Sequence, residues 1–251
     1  MEKRMEKPES LRKNGHKFCP GCLHGVATRL IGEAVDELGI QDKMVGVIAV
    51  GCANLTQLYF DFDLIGAAHG RAAAVATGFK RMSKDSVVMC YQGDGDLSSI
   101  GIAETLHAAN RGENITVIFI NNCIYGMTGG QMAPTTLVGQ KTTTTVYGRD
   151  PLHEGNPLKM AELIAGLESP VYVARFPLHT AKGIRDAKAG IKKAFQNQIE
   201  KKGYSFVELL SNCPTNWKMT PLQTLEHIEN SVSKYFVPGV YKDLTKEGET
   251  K

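Results

Sequence analysis

The chain lacks any long hydrophobic run. No apolar stretch in its 251 residues approaches the roughly 18 that a membrane-spanning helix needs. The opening segment MEKRMEKPESLRKNGHK is polar and charged, without the apolar centre of a secretion signal. No membrane association is expected, and a cytoplasmic location is. An excess of one charge is also missing: 29 Lys and Arg face 26 Asp and Glu, a net +3. Aromatic residues make up 7%, and no Lys/Arg stripe carries interleaved aromatics, so nucleic acid is not an expected partner. The small basic excess would suit an acidic protein partner. There are no internal repeats and no linker that would split the chain. Cysteines are few, six, and in a cytoplasmic protein they are expected to be free, metal-bound or catalytic rather than paired in disulfides.

What is present is enough for a full core. Apolar residues make up 42%, and 26 glycines supply the turns that alternating strands and helices require. The chain is organised around Val87–Gly130. An apolar run, Val87–Tyr91, breaks at Gly93-Asp94-Gly95-Asp96. An amphipathic stretch, Ile100–Asn110, follows, and a second apolar run, Ile115–Ile120, ends at Asn121-Asn122. This pattern predicts strand, tight turn, helix, strand. As a parallel βαβ unit, it brings Asp94 and Asn122 to the same edge of a sheet.

On either side the pattern continues. Helices are expected over Gly25–Leu38, Gly70–Met82, Met160–Leu167, Lys182–Lys201 and Pro221–Tyr235, and further strands over Met44–Val50, Val171–Phe176 and Tyr204–Leu210. Residues 1–17 read as an N-terminal arm, 18–240 as one domain, and 241–251 as a tail without structure. The expected class is α/β, a doubly wound, mostly parallel sheet. Residues 123–157 form a long irregular segment with a Thr run at 142–145; so long a segment in a compact domain usually carries function or an interface.

Asp94 and Asn122 are oxygen ligands of the kind magnesium shares with phosphates. Gly93 and Gly95 let the backbone approach a diphosphate closely, and the following helix start favours negative charge. Cys19-Pro20-Gly21-Cys22 leaves three readings open: a redox pair, a zinc site completed by Cys52 and Cys213, or an iron–sulfur cluster on the same four thiolates. Cys90 falls inside a strand and reads as a small buried hydrophobe; Cys123 reads equally well as a packing residue or a site residue. His24 and His107 read as structural.

Gly-Asp-Gly followed at this distance by Asn-Asn resembles the thiamine diphosphate motif. Together with Tyr125-Gly-Met-Thr-Gly-Gly-Gln131 and Ala133-Pro134-Thr135-Thr136, it resembles the beta subunits of 2-oxoacid:ferredoxin oxidoreductases of the 2-oxoglutarate or 2-oxoisovalerate type, from about Phe18 to Asp243. The resemblance implies a thiamine diphosphate-binding fold of the diphosphate kind. It implies Mg2+ held by Asp94, Asn122 and the Ile124 carbonyl, with Gly93, Gly95, Asp96, Gly126 and Thr128 binding the cofactor. It implies a 4Fe–4S cluster on Cys19, Cys22, Cys52 and Cys213, and it places His69-Gly70-Arg71 at the thiamine site, with His69 and Arg71 as catalytic candidates. Gln131, Asn54 and Thr56 are further candidates to face it. One departure is Leu23, where many relatives carry glycine, so the backbone there is expected to differ.

The implied activity is oxidative decarboxylation of a 2-oxoacid with coenzyme A to acyl-CoA, carbon dioxide and reduced ferredoxin. Thiamine chemistry also needs a carboxylate from a pyrimidine-binding half, and the sequence shows none. An alpha subunit carrying that half is therefore an expected partner, with gamma and delta subunits and ferredoxin. The competing readings are a non-redox thiamine diphosphate decarboxylase subunit, which would not need the cysteines, and a metal-binding electron-transfer module without thiamine, which would not need Asp94 and Asn122.

Overall fold

The computed structural model describes residues 6–245. In chain order they form α1 (His24–Leu38), β1 (Met44–Ile48), β2 (Asp63–Gly66), α2 (Ala72–Met82), β3 (Val87–Gly93), α3 (Ile102–Asn110), β4 (Thr116–Asn121) and α4 (Pro151–Glu154). There follow α5 (Met160–Ala165), β5 (Tyr172–Pro177), α6 (Ala181–Ile199), β6 (Ser205–Leu210), α7 (Pro214–Trp217), α8 (Pro221–His227), α9 (Ser233–Tyr235) and β7 (Gly239–Asp243). One seven-stranded sheet runs β2-β1-β3-β4-β6-β5-β7; all neighbours pair in parallel except β7, which runs antiparallel along β5.

The central strands are apolar along their whole length because both faces are covered. Alternate residues divide between two cores. Met89, Tyr91, Ile118, Ile120, Val207 and Leu209 pack beneath α1 and α6. Val88, Cys90, Val117, Phe119, Val173 and Phe206 pack beneath α2, α3 and α5. The small residues Ala72, Ala73 and Ala76 of α2 are fully covered there. Helix α1 stops at Gly39, which adopts the left-handed conformation (φ 61°). Helix α6 starts from Thr180, whose side chain accepts the Gly183 N–H.

Connectivity decides where a ligand can sit. From β1 the chain moves outward to β2, then returns to β3 on the other side of β1. The carboxyl ends of β1 and β3 thus flank a switch point, the usual crevice of doubly wound sheets. No helix among the described residues is long and apolar enough to cross a membrane.

Several boundaries differ from expectation. The edge strands β2 and β7 are too short and too exposed to show in apolar periodicity. Tyr241–Asp243, expected at the start of an unstructured tail, belong to β7; the end of that tail, 246–251, lies outside the described residues. The helix expected from Ile100 opens as a π-helical turn, Asp96–Ile100, before α3. Of the expected arm, 1–5 lie outside the described residues, while Ser10 and Leu11 are buried against α1, with both Glu9 and Ser10 N–H groups on the Asp36 carboxylate. The segment 123–157 is held from within by buried Arg149, whose guanidinium donates to the carbonyls of Pro134, Thr136, Glu154, Gly155 and Asn156.

Candidate active site

Strands β3 and β4 end side by side, so Asp94 and Asn122 meet at the carboxyl edge of the sheet. Asp94 is buried, and its carboxylate is held by donors that the adjoining loops supply. Oδ1 accepts the Gly95 N–H (2.9 Å), while Oδ2 accepts the Ile124 N–H (3.1 Å) and the Thr135 hydroxyl (2.6 Å). The Asn122 N–H also points to this carboxylate. Burial pushes the Asp94 carboxyl up to about 6 against these four donors. The turn that aims Ile124 passes through Cys123 in the left-handed region (φ 59°). Its thiol is fully buried and touches Asn121 Oδ1, so Cys123 shapes the turn and does not line the cleft; Cys90 is equally buried, inside β3.

Asn122 has a buried side-chain oxygen, Oδ1, without a hydrogen-bond partner among the described residues. A buried acceptor without a partner beside a carboxylate is a donor set that suits a hard cation. The residues present therefore fit magnesium. They also fit a diphosphate: Gly95 lies so close to the Tyr125 ring that an added Cβ would stand 2.2 Å from it, and the Tyr125 hydroxyl donates to the Gly95 carbonyl. The loop at Gly93–Gly95 is thereby held with bare backbone along the cleft.

Gly93, Gly95, Asp96, Ile124, Gly126, Thr128, His69 and Cys52 line this same cleft with Asp94 and Asn122. Asp96, expected to bind cofactor, has both carboxylate oxygens committed to the protein: one accepts the Gly70 N–H (2.6 Å) and bonds His69 Nδ1, and the other bonds Gln92 Nε2. A carboxylate only accepts, so Nδ1 carries the proton and Nε2 is left free of Asp96. Arg71 does not line the cleft; its guanidinium pairs with Glu104 on α3. Thr128 and Gln131 bond each other (2.6 Å) in an exposed turn. Asn54 bonds Gln57, and the Thr56 hydroxyl donates to the Ala53 carbonyl, so neither faces the cleft. His107 is exposed on α3. His24 does line the cleft; burial lowers its imidazole to about 4, and its Nδ1 bonds the Tyr91 hydroxyl at 2.6 Å.

Beside the cleft, four thiols converge. Cys19 and Cys22 come from a turn closed by the Cys22 N–H on the Cys19 carbonyl, Cys52 from the end of β1 and Cys213 from the end of β6. Burial, and then the proximity of Cys22, Cys213 and Cys19, pushes the Cys52 thiol up to about 12; burial, with Cys213 and Cys19, does the same to Cys22. Gly126 joins the two regions. A Cβ added there would lie 3.3 Å from Cys52 Sγ, 3.6 Å from Cys213 Sγ and 3.8 Å from Asn122 Nδ2. At Leu23, where the sequence departs from glycine, the N–H donates to Asn212 Oδ1 and the side chain enters the core, with ordinary backbone angles.

Known proteins resemble this chain in sequence and fold. The family model described as the thiamine pyrophosphate enzyme C-terminal TPP binding domain matches residues 48–209, more than half of the chain. The 2-oxoglutarate synthase subunit KorB of Archaeoglobus fulgidus is 36% identical over 85% of this chain and 76% of its own length. The chain belongs to the thiamine diphosphate-binding subunits of 2-oxoacid oxidoreductases. The ketoisovalerate oxidoreductase subunit VorA of Methanothermobacter thermautotrophicus is 48% identical over 99% of this chain and 54% of that protein. The chain thus spans about half the length of that relative. A solved 2-oxoglutarate:ferredoxin oxidoreductase from Magnetococcus marinus, with 2-oxoglutarate, coenzyme A and succinyl-CoA bound, superposes with a TM-score of 0.76 at 27% identity, covering 91% of this chain and 74% of the other.

For a member of this family, the residues that sequence reasoning left without a role are the supports. Thr135 holds Asp94, Gln92 holds Asp96, and Tyr125 holds Gly95. Asn216 and Trp217 of α7 reach back to the Gly126 and Asn122 carbonyls. Thr135 lies in a stretch that the resemblance already marked; Asn216 stands three residues after Cys213, a spacing that a single turn of helix makes adjacent.

Proposed function

We propose that this chain is the thiamine diphosphate-binding beta subunit of a 2-oxoacid:ferredoxin oxidoreductase. It takes a 2-oxoacid and coenzyme A to acyl-CoA, carbon dioxide and reduced ferredoxin. The observation that supports the proposal is at Gly126, where an added Cβ would lie within 4 Å of Cys52 Sγ, Cys213 Sγ and Asn122 Nδ2, so that the candidate magnesium ligand and two of the four thiols adjoin one turn. A non-redox thiamine enzyme has no use for the thiols, and an electron-transfer module has none for Asp94 and Asn122.

When bound, thiamine diphosphate supplies an electron sink for decarboxylation, and an iron–sulfur cluster supplies a one-electron acceptor beside it. Asp94 and the orphaned Asn122 oxygen would hold Mg2+, with the bare backbone from Gly93 to Gly95 against the diphosphate. Asp96 bonds His69 Nδ1 and so fixes the orientation of a ring that lines the cleft. Arg71 pairs with Glu104 and so ties the start of α2 to α3. Cys19, Cys22, Cys52 and Cys213 would hold a 4Fe–4S cluster. The likeness to a 2-oxoglutarate:ferredoxin oxidoreductase favours such a cluster over a single zinc ion on the same thiols.

The favoured substrate is a branched-chain 2-oxoacid such as 2-oxoisovalerate. Among the described residues no Lys or Arg lines the cleft to meet a second carboxylate, and the relative named for ketoisovalerate has the higher identity of the two compared. The pyrimidine end of the cofactor is assigned to an alpha subunit, with gamma and delta subunits and ferredoxin completing the electron path. The test is to purify the assembled protein without oxygen and assay 2-oxoacid-dependent dye reduction on a panel of acids, with Asp94→Ala and Asn122→Ala alongside. Both variants should lose bound thiamine diphosphate and activity. Wild-type occupancy of cofactor and magnesium in both would overturn the site.

A further inference from the structure

We propose that Asn216 is a positioning residue that sets the reduction potential of the iron–sulfur cluster by donating a hydrogen bond to the Cys213 sulfur. This rests on the cluster reading above. Cys213 ends β6 and begins the single turn of α7, closed by the Trp217 N–H on the Cys213 carbonyl (2.9 Å). That turn carries Asn216 back over Cys213, with Asn216 Nδ2 at 3.4 Å from Cys213 Sγ. The same nitrogen donates to the Gly126 carbonyl at 2.8 Å. A carbonyl accepts only, so the nitrogen of the amide, not its oxygen, occupies this position, and its second hydrogen is left for the sulfur. On its other side the amide is walled by Gly130, where an added Cβ would lie 3.1 Å from Asn216 Cβ, Cγ and Oδ1. The Gly126 carbonyl and this wall together hold the donor toward the sulfur.

Reduction adds one electron to a cluster whose charge is spread over its sulfurs, with no bond made or broken. An N–H donor stabilises the more negative, reduced form and so raises the potential. Because Asn216 also grips Gly126, beside Asn122, the donor is held in register with the metal–diphosphate turn.

The experiment uses the assembled protein, purified and kept without oxygen, as wild type, Asn216→Ala and Asn216→Asp. Iron and sulfide are counted first, and the potential is then read by EPR-monitored redox titration without substrate. Loss of the donor should shift the one-electron equilibrium about tenfold toward the oxidised form, about 59 mV lower. Asn216→Asp, which keeps the shape but adds charge, should fall at least as far. An unchanged potential at wild-type iron content overturns the proposal. So does loss of the cluster from both variants with the fold retained, which would make Asn216 a structural support. Iron and sulfide absent from the wild-type protein would overturn the cluster reading itself, a separate result.

Discussion

Thr135→Val tests the carboxylate at the centre of the site with the smallest possible change. Thr135 is fully buried, and its hydroxyl donates to Asp94 Oδ2 at 2.6 Å. Valine keeps the branched shape and removes only the donor. A hydrogen bond to a charged group contributes about 1.5–3 kcal/mol. The N–H groups of Gly95, Ile124 and Asn122 still hold Asp94, so the carboxylate keeps its place while its ionised form loses support. Only the ionised form ligates magnesium. The lost energy therefore falls on the metal–diphosphate complex, and about 1.5–3 kcal/mol corresponds to about 10- to 150-fold in Kd. The assay is equilibrium dialysis of thiamine diphosphate against the assembled protein at fixed, saturating magnesium. Thr135→Ser keeps the hydroxyl and should bind within about threefold of wild type. Trp217, the single tryptophan of the chain, donates from Nε1 to the Asn122 carbonyl and offers a second readout through its emission. Thr135→Val binding within twofold of wild type would refute the claim that this hydroxyl supports the metal ligand.

Two further outcomes are expected. Cys213→Ser should lower iron and sulfide content, whereas Cys90→Ala, a change inside the fully buried β3, should leave both at wild-type levels; equal loss from both variants would remove Cys213 from the cluster. Arg175→Met should cost about 3–5 kcal/mol in denaturant unfolding, because fully buried Glu208 and neighbouring Glu162 lose the guanidinium they share. Adding Glu208→Leu should recover part of this, and a single-variant loss below about 1 kcal/mol would show that the pair is not coupled.

The local pattern already contained the frame of this protein. Apolar runs at Val87–Tyr91 and Ile115–Ile120 with a helical stretch between them read as a parallel βαβ unit, and that unit sets Asp94 beside Asn122. Short motifs also singled out Cys19, Cys22, Cys52 and Cys213, since each stands at a turn or strand end. Pairing at the sheet edges was not legible: β2 and β7 owe their existence to neighbours, β1 and β5, rather than to their own periodicity. The direction of each side chain was equally hidden. Asp96 and Arg71 stand in the right motifs, yet Asp96 is drawn to Gly70, His69 and Gln92, and Arg71 to Glu104, because hydrogen bonding and ion pairing depend on which groups packing brings near. The supports lay furthest out of reach. Thr135 is 41 residues from Asp94, and Asn216 is 90 from Gly126. A sequence states which groups can donate; only the folded chain determines which acceptors stand within 3 Å of them.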